Sequence, residues 1–345
     1  MKQALVISGG GSKGAFSVGV IKDLVHIYQT SFDVLVGTST GALIAPLAAL
    51  GEIAQLEKLY TTVTDADIIV KYNIGRRLGT TSIFTAGPLT AKIDALYTDE
   101  FFKKLQDSGK EVYLTTVCLQ TEELVVFTTA SNPVESNYYT TRKIVNADQF
   151  RRAVLASASQ PVFMPPIKIN KHVPGERFPE HQFVDGGVRE YAGLGIAIDA
   201  GAEEVFTIAH SAKNFVPVSG EFSDLFSILQ QTIAMFITDV AANDIYQPRQ
   251  YNEALIYIQK VKEKMRSAGI PETDIEKYFT VDNIPGSYQN KKPLKIHMIQ
   301  PEDNLGGGPG GLVFDPIEMK GMVAKGQMAL QSYVANLNPG DVHWA

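Results

Sequence analysis

The sequence predicts an α/β sandwich built on a largely parallel sheet, and three observations carry that reading. Short apolar runs such as Ala4-Leu5-Val6-Ile7 and Val34-Leu35-Val36 lack internal alternation, as expected of strands buried on both faces. Each run ends in a glycine-containing turn and is followed by a helical pattern. No internal repeat or composition break divides the 345 residues, so one unit over 1–345 is expected, with a peripheral helical elaboration near 250–290.

Taken in order, the first strand covers 4–7. A helix over 14–29 follows, with Phe16, Val20, Leu24 and Ile27 at helical spacing. The second strand at 34–36 leads into an apolar helix to about Leu50. Further strands are expected at 112–118, 123–128, 205–209 and 295–299, and helices at 88–97, 148–157, 223–245, 252–267 and 316–335. Pro88 suits a first helical position and Asp148 a helix start. Segments 68–86, 211–222 and 270–292 read as flexible, and Gly306–Gly311 as a glycine-rich loop.

Composition bounds the function. Apolar residues make up 45% and charged residues 20%, as in an ordinary globular enzyme. A net charge of -6 argues against a nucleic-acid partner. The basic runs at Arg76-Arg77 and from Lys260 through Arg266 read as solvated faces. Cys118, the only cysteine, sits in an apolar strand and reads as a core residue; no metal site and no cofactor are expected. Neither a secretory signal nor an apolar run of membrane-spanning length is present, so the expectation is a cytoplasmic protein. Attachment to a membrane surface and signal-independent export stay open, as does oligomeric state.

The chemistry-bearing motifs lie in the turns. Gly37-Thr38-Ser39-Thr40-Gly41 fits the nucleophile-elbow pattern between an apolar strand and an apolar helix. A serine there is held on a sharp turn, and the following helix N-terminus aims backbone N–H groups at a developing oxyanion. Gly9-Gly10-Gly11-Ser12-Lys13-Gly14 presents bare amides at a helix start, which suits an anion: a phosphate or an oxyanion. The stretch satisfies G-x-G-x-x-G, but the next strand ends at Val36-Gly37 and not in an acidic residue for a ribose hydroxyl. Phe183-Val184-Asp185-Gly186-Gly187 places a carboxylate at a strand end before two glycines.

Together these blocks resemble the patatin family of lipid acyl hydrolases. Gly9–Gly14 is similar to its oxyanion loop, Gly37–Gly41 to its elbow and Asp185-Gly186-Gly187 to its Asp-Gly-Gly/Ala block. The stretch Ala156-Ser157-Ala158-Ser159-Gln160-Pro161 through Pro166 is similar to its alanine-serine and proline-rich segment. The four occur in the family's order across residues 4–210, with weaker likeness at Asn243-Asp244 and Phe314-Asp315-Pro316. The resemblance implies a three-layer α/β/α sandwich and a catalytic dyad, in which Ser39 attacks an ester carbonyl of a phospholipid, lysophospholipid or related glycerolipid and Asp185 takes its proton. It implies an oxyanion hole drawn from Gly9, Gly10, Gly11, Lys13 and Gly14, helped by the Thr40 N–H. Gly37, Gly41, Gly186 and Gly187 would be supporting positions. After Asp-Gly-Gly the family usually carries Asn, one residue, then Pro; this chain has Tyr191, Ala192 and Gly193.

Two readings from other classes stay open: a nucleotide-binding module using Gly9–Gly14, and a catalytically silent lipid-binding protein. A Ser-His-Asp triad is the competing mechanism, because Asp185 followed by His210 matches the chain order of an α/β-hydrolase. An elbow on the second strand fits that fold poorly, so no catalytic histidine is expected among His26, His172, His181, His210, His297 and His343. The stripe Leu225, Leu229, Ile233, Phe236 and Val240 reads most simply as core packing, with an acyl-chain groove or membrane contact as the alternative.

Overall fold

Eleven strands and eleven helices are found among the described residues of the computed structural model, which are 1–71, 80–173, 175, 179–214, 217, 220–280, 292–338 and 342. The strands are β1 Gln3–Ile7, β2 Val34–Gly37, β3 Val70–Lys71, β4 Phe84–Thr85, β5 Glu111–Cys118, β6 Leu124–Thr128, β7 Thr140–Lys143, β8 Ile167–Asn170, β9 Glu180–Asp185, β10 Glu204–Ile208 and β11 Lys295–Ile299. The helices are α1 Gly14–His26, α2 Thr40–Ala49, α3 Ile53–Thr62, α4 Asp65–Ile68, α5 Gly87–Leu96, α6 Asp99–Asp107, α7 Ala147–Ser157, α8 Leu194–Asp199, α9 Leu225–Ser267, α10 Glu272–Phe279 and α11 Pro316–Ala335.

The main sheet runs β11-β10-β1-β2-β5-β6-β7. From β11 across to β5 every pairing is parallel, while β5 meets β6 and β9 antiparallel. The apolar runs are buried on both sides because each face is covered. Leu5 and Ile7 point into the core shared with α1, α2, α7 and α11, while Ala4 and Val6 point into the core under α8 and α9. Cys118 is fully buried in β5. This is the three-layer arrangement expected, with short helix starts fixed by side-chain caps. Asn146 accepts from Gln149 N–H at 2.8 Å, and Asp315 accepts from Ile317 N–H at 2.7 Å ahead of Pro316.

The topology places the site. The chain leaves β1 toward β2 on one side while β10 lies on the other, so the loops after β1, β2 and β10 meet beyond the carboxyl ends of the parallel strands. β2 pairs with β5 only as far as Gly37 opposite Leu114. β9 then takes over the same edge of β5, antiparallel, with Asp185 opposite Thr116. Asp185 is thereby delivered just past the end of β2, where the elbow turns.

Several expectations need correction. Helices 223–245 and 252–267 are one helix, α9, which runs through Pro248. Proline forfeits one backbone bond, and buried positions on both sides, Ala241 and Leu255, keep the helix anchored across it. Its apolar stripe is not uniformly core: Leu225 and Phe236 are 73% and 65% exposed, whereas Ala234, Ile237 and Ala241 line a cavity. The segment read as flexible at 270–292 contains α10, tied to α9 by Arg266–Glu272 and Lys262–Glu276 pairs; 281–291 lies outside the described residues. Within 68–86, β3 and β4 pair antiparallel, and Arg76-Arg77 lies outside the described residues, as does His343. Helices α3 and α6 and strands β7 and β8 were not anticipated. No helix among the described residues is long and apolar enough to cross a membrane.

Candidate active site

Ser39 is the second residue past β2 and holds φ 57° and ψ -120°, a conformation that a residue with a side chain adopts at a cost of about 1–3 kcal/mol. The surroundings enforce it. A Cβ on Gly37 would lie 2.3 Å from the Gly41 carbonyl oxygen, and one on Gly41 would lie 2.1 Å from that of Ile7. Only glycine allows β1, β2 and the start of α2 to pack this closely. The Ser39 N–H donates to Ser157 Oγ at 3.0 Å, which fixes the turn to the end of α7.

The buried carboxyl of Asp185 lies beside the Ser39 hydroxyl, and its Oδ1 accepts the Gly187 N–H at 2.8 Å. Asp185 N–H donates to the Ser159 carbonyl at 2.9 Å. A Cβ on Gly186 would meet Thr115 Oγ1 at 2.2 Å, so the first glycine of the block lets the chain lie flat on β5. Burial pushes the Asp185 carboxyl up to about 6, against the opposing pull of the Ser39 and Gly187 hydrogen bonds. The alanine-serine segment thus serves both partners: Ser157 braces Ser39, and Ser159 braces Asp185.

The glycine-rich loop lies opposite. Gly10 and Gly11 line the same cavity as Ser39, and among the described residues neither N–H has a backbone partner. The other three loop members expected as donors are occupied. Gly9 N–H donates to the Tyr191 carbonyl at 3.3 Å, Lys13 N–H to the Gly10 carbonyl at 3.1 Å, and Gly14 N–H to Gly11 and Ser12 carbonyls. Their place is structural. Gly14 leaves room for Thr40 Oγ1, 2.5 Å from where a Cβ would sit, and that hydroxyl is bonded to Tyr60 at 2.5 Å. The Lys13 side chain lines the cavity, and burial pushes its ammonium below the ordinary lysine range.

His210 follows β10 and touches neither Ser39 nor Asp185 among the hydrogen bonds of the described residues. Its Nδ1 lies 2.8 Å from the Gly9 carbonyl oxygen, an acceptor only, so Nδ1 carries the proton. Nε2 then accepts from Ser17 Oγ at 2.7 Å. Burial, aided by the charge of Lys13, lowers the imidazole to about 4, so it is neutral at physiological pH. Both ring nitrogens are committed, and the ring lies under the glycine loop as a brace. His210→Gln is therefore expected to lower ester turnover by no more than about tenfold, the scale of one lost positioning hydrogen bond. A thousandfold loss in a folded protein, checked by circular dichroism, would place histidine in the chemistry.

A cavity of about 250 Å³ meets this group. Its walls are apolar: Leu43 of α2, Leu89 and Ile93 of α5, Met164, and Ile237 and Ala241 of α9. No cluster of three or more metal-ligating side chains occurs among the described residues.

Residues 5–198 match the family described as patatin-like phospholipase. A 65-residue stretch is 45% identical to the cUMP-AMP-activated phospholipase of Escherichia coli, covering 17% of this chain and 20% of that protein. The chain therefore aligns with about a fifth of that relative's length. Among solved structures, VipD from Legionella pneumophila aligns with 96% of this chain and 67% of its own, at 13% identity and a TM-score of 0.39. With more than half its length matched, and a serine elbow, an Asp-Gly-Gly block and a glycine loop gathered at one cavity, the chain belongs to the patatin-like phospholipase family of lipid acyl hydrolases.

Proposed function

We propose that the protein is a serine lipid acyl hydrolase, of phospholipase A or lysophospholipase type, acting through a Ser39–Asp185 dyad. The observation that carries this is the Ser39 hydroxyl set beside a buried carboxyl at an apolar cavity that both residues line. Serine needs a base within hydrogen-bond reach, and Asp185 occupies the place that histidine takes in a triad.

In the first step Ser39 Oγ bonds to the ester carbonyl carbon while its proton passes to Asp185. The carbonyl oxygen becomes an oxyanion, facing the Gly10 and Gly11 N–H groups with Thr40 N–H at the start of α2. Collapse breaks the bond to the leaving alcohol, which takes the proton from Asp185 and departs, leaving an acyl-Ser39 ester. Water repeats the sequence: Asp185 accepts its proton, hydroxide oxygen joins the acyl carbon, and Ser39 leaves as a hydroxyl with the proton returned. The acyl chain occupies the cavity between α2, α5 and α9, and the headgroup faces the opening. The substrate is a glycerolipid at a membrane or micelle surface.

Asp185 must be ionised to act as base. Its raised value means that turnover of a soluble ester increases as pH rises through about 6, and not through the ordinary aspartate range near 3.8. Fluorophosphonate labelling across pH 4–8, with Ser39→Ala as control, checks both points. Labelling that does not need Ser39 would sink the enzyme reading, and a midpoint near 4 would remove Asp185 as the buried base. Mass spectrometry of products from defined phospholipids, lysophospholipids and triacylglycerol assigns the substrate.

A further inference from the structure

Two acidic side chains that the chemistry does not use meet beneath the site. Glu190 follows the Asp-Gly-Gly block, and Asp244 comes from the middle of α9; both carboxyls bind the backbone of residues 191–193, which brings them beside each other. Glu190 Oε1 accepts the Gly193 N–H at 2.6 Å, and Asp244 Oδ2 accepts the Tyr191 N–H at 2.5 Å. The Tyr191 carbonyl in turn accepts the Gly9 N–H, and its buried ring lies in the same cavity lining as His210 and Ser211. Tyr191, Ala192 and Gly193 stand where the resembling family usually carries Asn and Pro. Here the carboxyl pair ties down that stretch and, through Tyr191, the glycine loop.

Two carboxylates have no hydrogen to offer each other, so a bond between groups placed this way needs one proton. We propose that Glu190 and Asp244 share a single proton and act as positioning residues, holding the Asp185 loop and the glycine loop in working register. This rests on the esterase reading for its kinetic readout. Loss of that proton leaves two adjacent half-buried anions, whose repulsion pushes α9 from Tyr191 and slackens the Gly9 contact. The pair therefore sets an alkaline limit to turnover.

The surroundings supply no counter-charge. Lys13, Asp185, Tyr191 and His210 are titratable groups lining the cavity on the site side, and Lys13 acts on His210. Arg189 gives its guanidinium to the Glu122 carbonyl. Asp199 of α8 accepts from Tyr139 at 2.9 Å. Asp239 and Arg249 of α9 are exposed. Among the described residues no cation pairs with either carboxyl. Burial, then the charge of Asp244, pushes Glu190 well above the ordinary glutamate range, and burial raises Asp244 as well.

The test compares wild type, Glu190→Gln and Asp244→Asn, each of which keeps the hydrogen bonds without a shared proton, with Glu190→Ala, which breaks them. Urea unfolding at pH 5.5–9 reads the proton without any activity. A carboxyl raised in the fold stabilises fully below its unfolded value and loses that contribution as pH rises to its folded one. The wild-type unfolding constant should therefore climb about tenfold per pH unit relative to Glu190→Gln across that interval. Parallel curves for wild type and both amide variants would overturn the shared proton. With a soluble ester, Glu190→Gln or Asp244→Asn should move the alkaline limb of kcat up by about one pH unit or more. Glu190→Ala should lower kcat at every pH. An alkaline limb unmoved in whichever amide variant folds overturns the positioning role. Absence of Ser39-dependent turnover in wild type overturns the esterase reading instead, and the unfolding curves still decide the proton.

Discussion

Ser39→Ala and Asp185→Asn are each expected to lower ester turnover by about 10⁴- to 10⁶-fold, the range seen when a nucleophile or its base is removed. The two variants should differ in stability, which separates loss of chemistry from loss of fold. Alanine at 39 keeps a Cβ at φ 57°, so the backbone strain persists and the fold should be little changed. Asparagine at 185 can keep both hydrogen bonds: its oxygen accepts from Gly187 N–H and its amide donates to Ser39.

Asparagine also removes a buried charge. The folded-state carboxyl sits at about 6 against 3.8 when unperturbed. Its stabilising contribution is therefore full below the lower value and lost as pH rises through the upper one. Replacing it should raise stability at pH 8 by about 2–3 kcal/mol, the size of a two-unit shift. Urea unfolding and a soluble-ester assay on the same preparations check both halves. Retention of a tenth of wild-type turnover by either folded variant would end the dyad. A destabilised Asp185→Asn would show that the carboxyl is held by something other than the two hydrogen bonds described.

This pairing of inactivity with stability explains which parts of the site were legible in the sequence. Gly37, Gly41 and Gly186 could be read because close backbone packing leaves glycine no substitute, and because they are contiguous with the reacting residues. The supporting partners are not contiguous. Ser157 braces Ser39 from 118 residues away, and nothing in an Ala-Ser-Ala-Ser run distinguishes it from a helix end; the run could be singled out but not given a role. His210 shows how chain order leaves two mechanisms open. Its order after Asp185 suits a triad, and only the direction of its ring toward Gly9 and Ser17 identifies a brace. Glu190 and Asp244 were invisible as a pair because the sequence displays the missing Asn and Pro but not what replaces them. The helices expected at 223–245 and 252–267 leave out Pro248, whose ring opposes helix locally, while the packing of Ala241 and Leu255 that anchors α9 on both sides of it is tertiary. Lys13 and Gly14 lie in the same loop, yet their amides close a helical turn, whereas the Gly10 and Gly11 amides have no backbone partner among the described residues.

Gly11→Ala is expected to lower turnover by about 10²- to 10³-fold, the loss that follows removal of one oxyanion donor. Gly11 sits at φ 57°, and a Cβ there would lie 2.1 Å from the Gly311 carbonyl oxygen. The glycine-rich stretch near the C-terminal end of the chain explains this: Gly311, at φ 72°, lies backbone to backbone on the loop, and its own Cβ would come within 2.0 Å of the Gly10 carbonyl oxygen. Neither backbone can yield as a flexible side chain would, so either substitution should rotate the Gly10 and Gly11 amides away from the oxyanion position. Gly311→Ala is accordingly expected to resemble Gly11→Ala, with kcat falling far more than KM changes, although the residue belongs to none of the sequence blocks assigned to the chemistry. Ser39 should remain chemically present in both, so covalent labelling by a fluorophosphonate should slow without being abolished, whereas Ser39→Ala abolishes it. Circular dichroism guards against a general loss of fold. Full turnover in a folded Gly11→Ala protein would remove this loop from the oxyanion hole. Full turnover in Gly311→Ala alone would show that the loop holds its geometry without the C-terminal glycines pressed against it.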